Sequence, residues 1–101
     1  ELALTGRHID AAAAFKAGLL NRVTEPGMAL EAACELAQEI AANAPLALEI
    51  SKRVVSASRT WSEDKMFAEQ LPLVGPVLAS EDALEGARAF AEKREPVWSG
   101  R

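Results

Sequence analysis

The segment SEDALEGARAFAEKREPVWSGR, residues 80–101, predicts a helix with well-defined ends. Ser80 is a favourable N-cap, and the two acidic residues that follow it would lie at the positive end of the helix dipole. The helix should end near Arg94, because Pro96 has no backbone N–H and cannot continue it. Gly86 falls in the middle of this helix, where glycine is weaker than alanine by about 1 kcal/mol. Close approach of another backbone segment would explain a glycine at that position.

The end of this segment combines cationic and aromatic side chains, although the chain as a whole has a net charge of −4. The residues are Phe90, Lys93, Arg94, Trp98 and Arg101. One interpretation is a solvated helix end, whose positive charges match the helix dipole. The other is a binding site for an anionic ligand with a flat ring, because an ammonium group attracts phosphate and an aromatic face packs on a ring. For Arg94 and Arg101 the first interpretation is preferred.

The rest of the chain is also dominated by helical patterns. The predicted helices are 11–17 between the N-cap Asp10 and Gly18, 28–42, 45 to about 58 with Pro45 in its first turn, and a helix opened by a Thr60–Glu63 capping box. Pro72 and Pro76 are expected to produce a kink or an irregular link. Residues 19–23 could form one short strand. The predicted fold class is therefore mainly α, with at most one short strand.

Composition excludes several classes of function. An acidic chain lacks the concentrated basic surface that nucleic acids require. No apolar run approaches the roughly 18 residues of a membrane-spanning helix, and no signal peptide is visible. Cys34 is the only cysteine, so an internal disulfide is impossible and a reducing, cytoplasmic location is expected. His8 is the only histidine, which argues against a Ser-His-Asp or Cys-His centre and against a metal site.

Three stretches, in order along the chain, are similar to sequence patterns of one known protein family. The first, ELALTGRHIDAAAAFKAGLLNRV at residues 1–23, is similar to the pattern E-L-x-L-T-G-x-x-I-x-A-x-x-A-x-x-x-G-L-V-N-x-V, with Leu20 in place of the usual valine. The second, IAANAPLALEISKRVV at residues 40–55, is similar to I-A-x-x-x-P-x-A-x-x-x-x-K. The third, residues 80–101, is similar to S-E-D-x-x-E-G-x-x-A-F-x-E-K-R-x-P-x-[FW]-x-G. The three matches together span the whole chain, and through them it resembles the enoyl-CoA hydratase/isomerase (crotonase) family.

The resemblance implies that the chain is the C-terminal helical segment of a crotonase-like fold, with the catalytic ββα core missing. The family adds water across the double bond of 2-enoyl-CoA thioesters. It uses an oxyanion hole of backbone N–H groups and Glu side chains that move protons. Because those groups lie on the core, the resemblance assigns no catalytic residue to this chain. The whole protein would be an enoyl-CoA hydratase, a lyase of fatty acid metabolism. An enoyl-CoA isomerase or an acyl-CoA hydrolase is the alternative within the family.

The resemblance also implies an oligomer whose C-terminal helices build trimers, often paired as hexamers, and cover the CoA site. Residues 1–24 would be the end of the core, and residues 25–101 the oligomerisation region. Phe90 and Lys93 match the family's F-x-E-K, which contributes to a CoA pocket that is typically a neighbouring subunit's. The acyl-CoA is the expected partner, and no separate cofactor or metal is expected. The chain alone is expected to self-associate as a dimer or a swapped oligomer, because apolar stretches such as residues 71–78 would be uncovered.

An alternative hypothesis, from a different class of function, is a free-standing helical interaction module without a role in CoA binding. Its helices would present apolar faces to a protein partner, and the cationic end of the chain would be a solvated helix terminus. A titration of the full-length protein with CoA distinguishes the two. CoA binding that weakens when Lys93 is changed would support the family interpretation.

Overall fold

The computed structural model describes residues 1–101, and their secondary structure is helical without a strand. The elements are α1 (Leu2–Thr5), α2 (Ala11–Lys16), α3 (Ala29–Ala41), α4 (Pro45–Ala57), a 3₁₀ turn (Ser58–Thr60), α5 (Met66–Leu78) and α6 (Glu81–Glu92). The mainly α fold class is thus confirmed, and residues 19–23 form bends and irregular backbone instead of the possible short strand. The longest helices have 13 residues, and the structure contains no candidate membrane-spanning helix.

Two compact units make up the chain, residues 1–37 and residues 38–101. In the first unit, Asp10 caps α2 by accepting a hydrogen bond of 2.7 Å from the backbone N–H of Ala13, as its position before the helix predicts. Gly18 follows α2 with a φ of +75°, in the left-handed conformation expected of a residue that ends a helix. None of the residues in this unit is buried.

In the second unit, α4 packs against α5 and α5 packs against α6. Pro45 opens α4 at its first turn, as predicted. Only Ile50 and Ala89 are buried apolar residues of the chain. Large apolar side chains of this unit that remain exposed are Ile40, Val55, Phe67, Leu71, Leu78, Leu84, Phe90 and Val97. The helices therefore leave much of their apolar surface uncovered within the chain.

The capping box predicted at Thr60 and Glu63 is wrong. Thr60 ends the 3₁₀ turn that directly follows α4, and its hydroxyl donates a hydrogen bond of 2.8 Å to the carbonyl of Ala57. The hydroxyl thus satisfies a carbonyl at the end of α4 instead of an N–H at the start of the next helix. The next helix, α5, begins at Met66.

Of the two alternatives predicted at Pro72 and Pro76, the irregular link is wrong, because both prolines lie inside the continuous helix α5, and the kink stays a prediction. Their missing N–H groups deprive the carbonyls of Ala68 and Pro72 of their usual helical donors. Both prolines are exposed. Water can therefore hydrogen-bond the carbonyls on that side, which lowers the cost of keeping the helix continuous.

Candidate functional site

The first turn of α6 anchors the last residues of the chain. Ser80 caps α6, as predicted, by accepting a hydrogen bond of 3.1 Å from the N–H of Ala83. The Asp82 side chain then accepts hydrogen bonds from the N–H groups of Ser99 at 2.6 Å and Gly100 at 3.0 Å. The Ser99 hydroxyl donates to the same carboxylate at 3.0 Å, and the N–H of Asp82 donates to the carbonyl of Arg101 at 3.0 Å. Residues 95–101, here called the tail, are thereby held against the helix.

Asp82 is only 3% exposed, so its charge depends on these contacts. Burial alone would raise the pKa of its carboxyl group. The hydrogen bonds from Ser99 and Gly100, with the nearby charge of Arg101, outweigh burial and hold the pKa below its ordinary value. Asp82 is therefore ionised at neutral pH, and its role as a carboxylate acceptor follows from that state.

Glu85, one turn further along α6, holds a second part of the tail. Its two carboxylate oxygens accept from the Arg94 guanidinium at 2.6 and 3.0 Å, which is the planar two-point pairing that arginine favours. One of these oxygens also accepts from the N–H of Val97 at 2.9 Å. The hydrogen bonds from Arg94 and from Val97 lower the pKa of Glu85 to about 2. The same pairing raises the pKa of Arg94 above its ordinary value.

Trp98 packs across the middle of α6 and also reaches the end of α3. Its indole N–H donates a hydrogen bond of 2.7 Å to the carbonyl of Ala42. A Cβ added to Gly86 would lie 3.3 Å from the Cη2 atom of the Trp98 ring. The close approach predicted at this glycine is therefore present, but an aromatic side chain makes it and not another backbone segment.

The end of α6 carries the two residues predicted to bind CoA. Lys93 follows Glu92 in the left-handed conformation, with φ 53° and ψ 44°, and is the only non-glycine residue of the chain with a positive φ. Its N–H bonds to the carbonyl of Phe90 at 3.3 Å. Phe90 is 88% exposed, and the Lys93 ammonium has no partner within the chain. Phe90 and Lys93 are thus both exposed at the same helix end.

The other predicted cationic residues take different positions. Arg94 is engaged with two carboxylates, since its Nε also donates to Glu92 at 2.6 Å, so a solvated helix end does not describe it. Arg101 forms an exposed ion pair with Glu81 at 3.1 Å. No group of three or more His, Cys, Asp or Glu side chains could hold a metal ion.

The sequence interpretation missed the tail contacts of Asp82, Glu85 and Trp98. The helix dipole already explains the acidic residues that follow Ser80, and most acidic residues on helices are exposed. The signal that could have found these contacts is the combination of D-x-x-E-G in the helix with R-x-P-x-W-S-G after it. Each polar or small residue in the first pattern has its partner in the second.

The model of the enoyl-CoA hydratase/isomerase family matches residues 1–101. The chain belongs to the enoyl-CoA hydratase/isomerase family. It is 40% identical over 105 residues to a carnitinyl-CoA dehydratase of Citrobacter koseri, and 41% identical to one of Salmonella typhimurium. Each match covers the whole of this chain and 40% of the relative. The chain thus spans about 40% of the length of these curated relatives and corresponds to the C-terminal segment of crotonase-family proteins.

Solved structures of relatives show the same helical arrangement. An enoyl-CoA hydratase of Mycobacterium tuberculosis H37Rv is 53% identical and superposes with a TM-score of 0.96, over 99% of this chain and 40% of that one. An enoyl-CoA hydratase of Bacillus anthracis is 33% identical, with a TM-score of 0.91, over 97% of this chain and 38% of that one. The helices described above are therefore those of a crotonase-family C-terminal segment.

Proposed function

We propose that this chain is the C-terminal helical part of a cytoplasmic enoyl-CoA hydratase, in which it serves oligomerisation and closes the CoA site. The names of its relatives, enoyl-CoA hydratase and carnitinyl-CoA dehydratase, support a reaction in which water is added to or removed from a CoA thioester. The family is named for both hydratases and isomerases, so the isomerase remains the alternative, whereas none of these names supports an acyl-CoA hydrolase. The substrate is then a 2-enoyl-CoA thioester, and the catalytic carboxylates belong to the part of the enzyme that precedes this segment.

The observation that carries the CoA role is the exposed pair formed by Phe90 and Lys93. An ammonium group without an internal partner suits a phosphate of CoA, and an exposed phenyl ring suits the face of the adenine. The left-handed conformation of Lys93 adds support. A non-glycine residue costs about 1–2 kcal/mol there, and such strain often occurs at ligand-binding positions.

The oligomerisation role is supported by the uncovered apolar surface of the second unit. A groove between α4 and α5 is lined by Ile50, Val54, Val74 and Val77, and it is open. Exposed apolar surface of this extent is typical of an interface with another polypeptide. In the whole enzyme these helices would pack against neighbouring subunits, with residues 25–101 as the oligomerisation region.

The Lys93→Ala variant of the full-length enzyme tests the CoA role. KM for a 2-enoyl-CoA substrate should rise about tenfold with kcat nearly unchanged, because the contact is remote from the reacting carbons and acts equally on ground and transition states. A pantetheine thioester without the phosphates is the control substrate, and the variant should match the wild type with it. A lower kcat with both substrates would contradict the proposal, as would an unchanged KM for the CoA thioester.

A further inference from the structure

The turn at Lys93 is held from both sides by one guanidinium group. Arg94, the next residue, donates from Nε to the Glu92 carboxylate at 2.6 Å and from Nη1 to the carbonyl of Glu95 at 3.1 Å. These acceptors lie just before and just after the turn. The guanidinium is itself fixed by its two-point pairing with Glu85. Glu85 therefore contacts the residues around Lys93 without contacting Lys93 itself.

Glu85 also fixes the direction in which the chain leaves the turn. The same carboxylate that pairs with Arg94 accepts the N–H of Val97 at 2.9 Å. A right-handed conformation at Lys93 would extend α6 and redirect residues 94–97, which would break both contacts. The Glu85 contacts are thus compatible with the left-handed conformation and oppose the right-handed one.

Two other helix ends of the chain show that this arrangement is unusual. Gly6 after α1 and Gly18 after α2 take the left-handed conformation, in which glycine has no steric penalty. At the end of α6 the residue is a lysine, and a strained backbone of this kind persists only where its surroundings determine it. Glu85, Arg94 and Val97 supply those surroundings.

We propose that Glu85 is a positioning residue, which acts through Arg94 and Val97 to hold Lys93 in its left-handed turn and so directs the ammonium group toward a CoA phosphate. This inference rests on the proposed CoA role of Lys93. It adds a residue that touches no substrate to the set that determines affinity for the CoA thioester. The low pKa of Glu85 means that the pairing persists across the neutral pH range.

The test is a double-mutant cycle in the full-length enzyme. Glu85→Ala should raise KM for a 2-enoyl-CoA substrate about threefold to tenfold with kcat unchanged, and it should have no further effect when Lys93 is already alanine. Glu85→Gln keeps an acceptor for the N–H of Val97 but loses the charge, so it should raise KM less. This variant also controls for a folding defect in Glu85→Ala. Glu81→Ala is the matched control. It removes another acidic residue of α6 that pairs with Arg101 of the tail, and it should leave KM unchanged.

The possible outcomes distinguish the CoA role of Lys93 from the positioning role of Glu85. If Lys93→Ala leaves KM unchanged, the CoA role of Lys93 fails and the positioning role fails with it. If Lys93→Ala raises KM but neither Glu85 variant does, only the positioning role is overturned. Independent, additive effects of Glu85→Ala and Lys93→Ala would overturn it as well, because they would show that Glu85 does not act through Lys93.

Discussion

The indole N–H of Trp98 donates a hydrogen bond of 2.7 Å to the carbonyl of Ala42, 56 residues earlier in the chain. Ala42 follows the last residue of α3, so its carbonyl lacks a donor within that helix. Trp98 thus supplies a hydrogen-bond donor to the end of α3, while its ring lies against Gly86 of α6. The last residues are consequently a structural part of the second unit.

The first prediction concerns the anchoring of the tail by Asp82. In Asp82→Asn, the amide keeps one acceptor oxygen and places an NH₂ group against tail N–H donors. The amides of Ser99 and Gly100 should then exchange with solvent about tenfold faster or more, because hydrogen bonds to a charged acceptor are the stronger ones. Hydrogen exchange in the full-length protein measures this. Glu81→Gln is the control, since Glu81 is exposed and should leave both amides unchanged.

The second prediction is a pH dependence that arises from Glu85. Its pKa is lowered from 4.5 to about 2 by pairing with Arg94, so the carboxylate stabilises the fold above pH 4.5 and loses this contribution as the pH falls toward 2. The wild type should therefore be more stable than Glu85→Gln at pH 6, and the difference should shrink below pH 4.5. Denaturation curves of both proteins at several pH values measure it. A difference that stays constant down to pH 3 would show that the ion pair is not responsible.

The third prediction concerns Gly86 and Trp98. Alanine at Gly86 should gain about 1 kcal/mol from helix propensity. Its Cβ, however, would lie 3.3 Å from a ring that the Ala42 hydrogen bond holds in place. Gly86→Ala should therefore stabilise the Trp98→Ala variant by about 1 kcal/mol, and the wild type by clearly less or not at all. Chemical denaturation of the four proteins gives the coupling. Equal gains in both backgrounds would mean that the ring moves away freely.

The helix ends could largely be predicted from sequence, because caps depend on residues within one turn. Asp10, Gly18, Pro45 and Ser80 each take the predicted position. The tail contacts could not be predicted in this way. Asp82 and Ser99 are 17 residues apart, and an acidic residue in the first turn of a helix is already explained by the helix dipole. Nothing local therefore indicates that its side chain is buried.

Predictions from neighbouring residues alone failed at Thr60 and at the two prolines of α5. Thr60 has the residue type of an N-cap, but it follows α4 without a break and its hydroxyl bonds back to that helix. Pro72 and Pro76 disfavour a helix locally, yet α5 continues through them and packs against α4 and α6. Tertiary packing decides such cases, and sequence periodicity alone does not contain it.

The fourth prediction separates stability from binding at Lys93. Lys93→Gly should relieve the strain of the left-handed conformation and stabilise the end of α6 by about 1 kcal/mol. It should also raise KM for the CoA thioester as much as Lys93→Ala does, because both variants lack the ammonium group. Hydrogen exchange of the last-turn amides and steady-state kinetics measure the two effects. A Lys93→Gly enzyme with wild-type KM would assign Lys93 a purely structural role.

The most direct test of the proposed contact between Lys93 and CoA is a structure of the full-length enzyme with a bound CoA thioester. The measured quantity is the distance from the Lys93 Nζ atom to the nearest phosphate oxygen. We expect about 2.7–3.2 Å, the length of a charge-assisted hydrogen bond, with the Phe90 ring against the adenine. A Lys93 ammonium in solvent, more than a Debye length of about 8 Å from every phosphate, would contradict it.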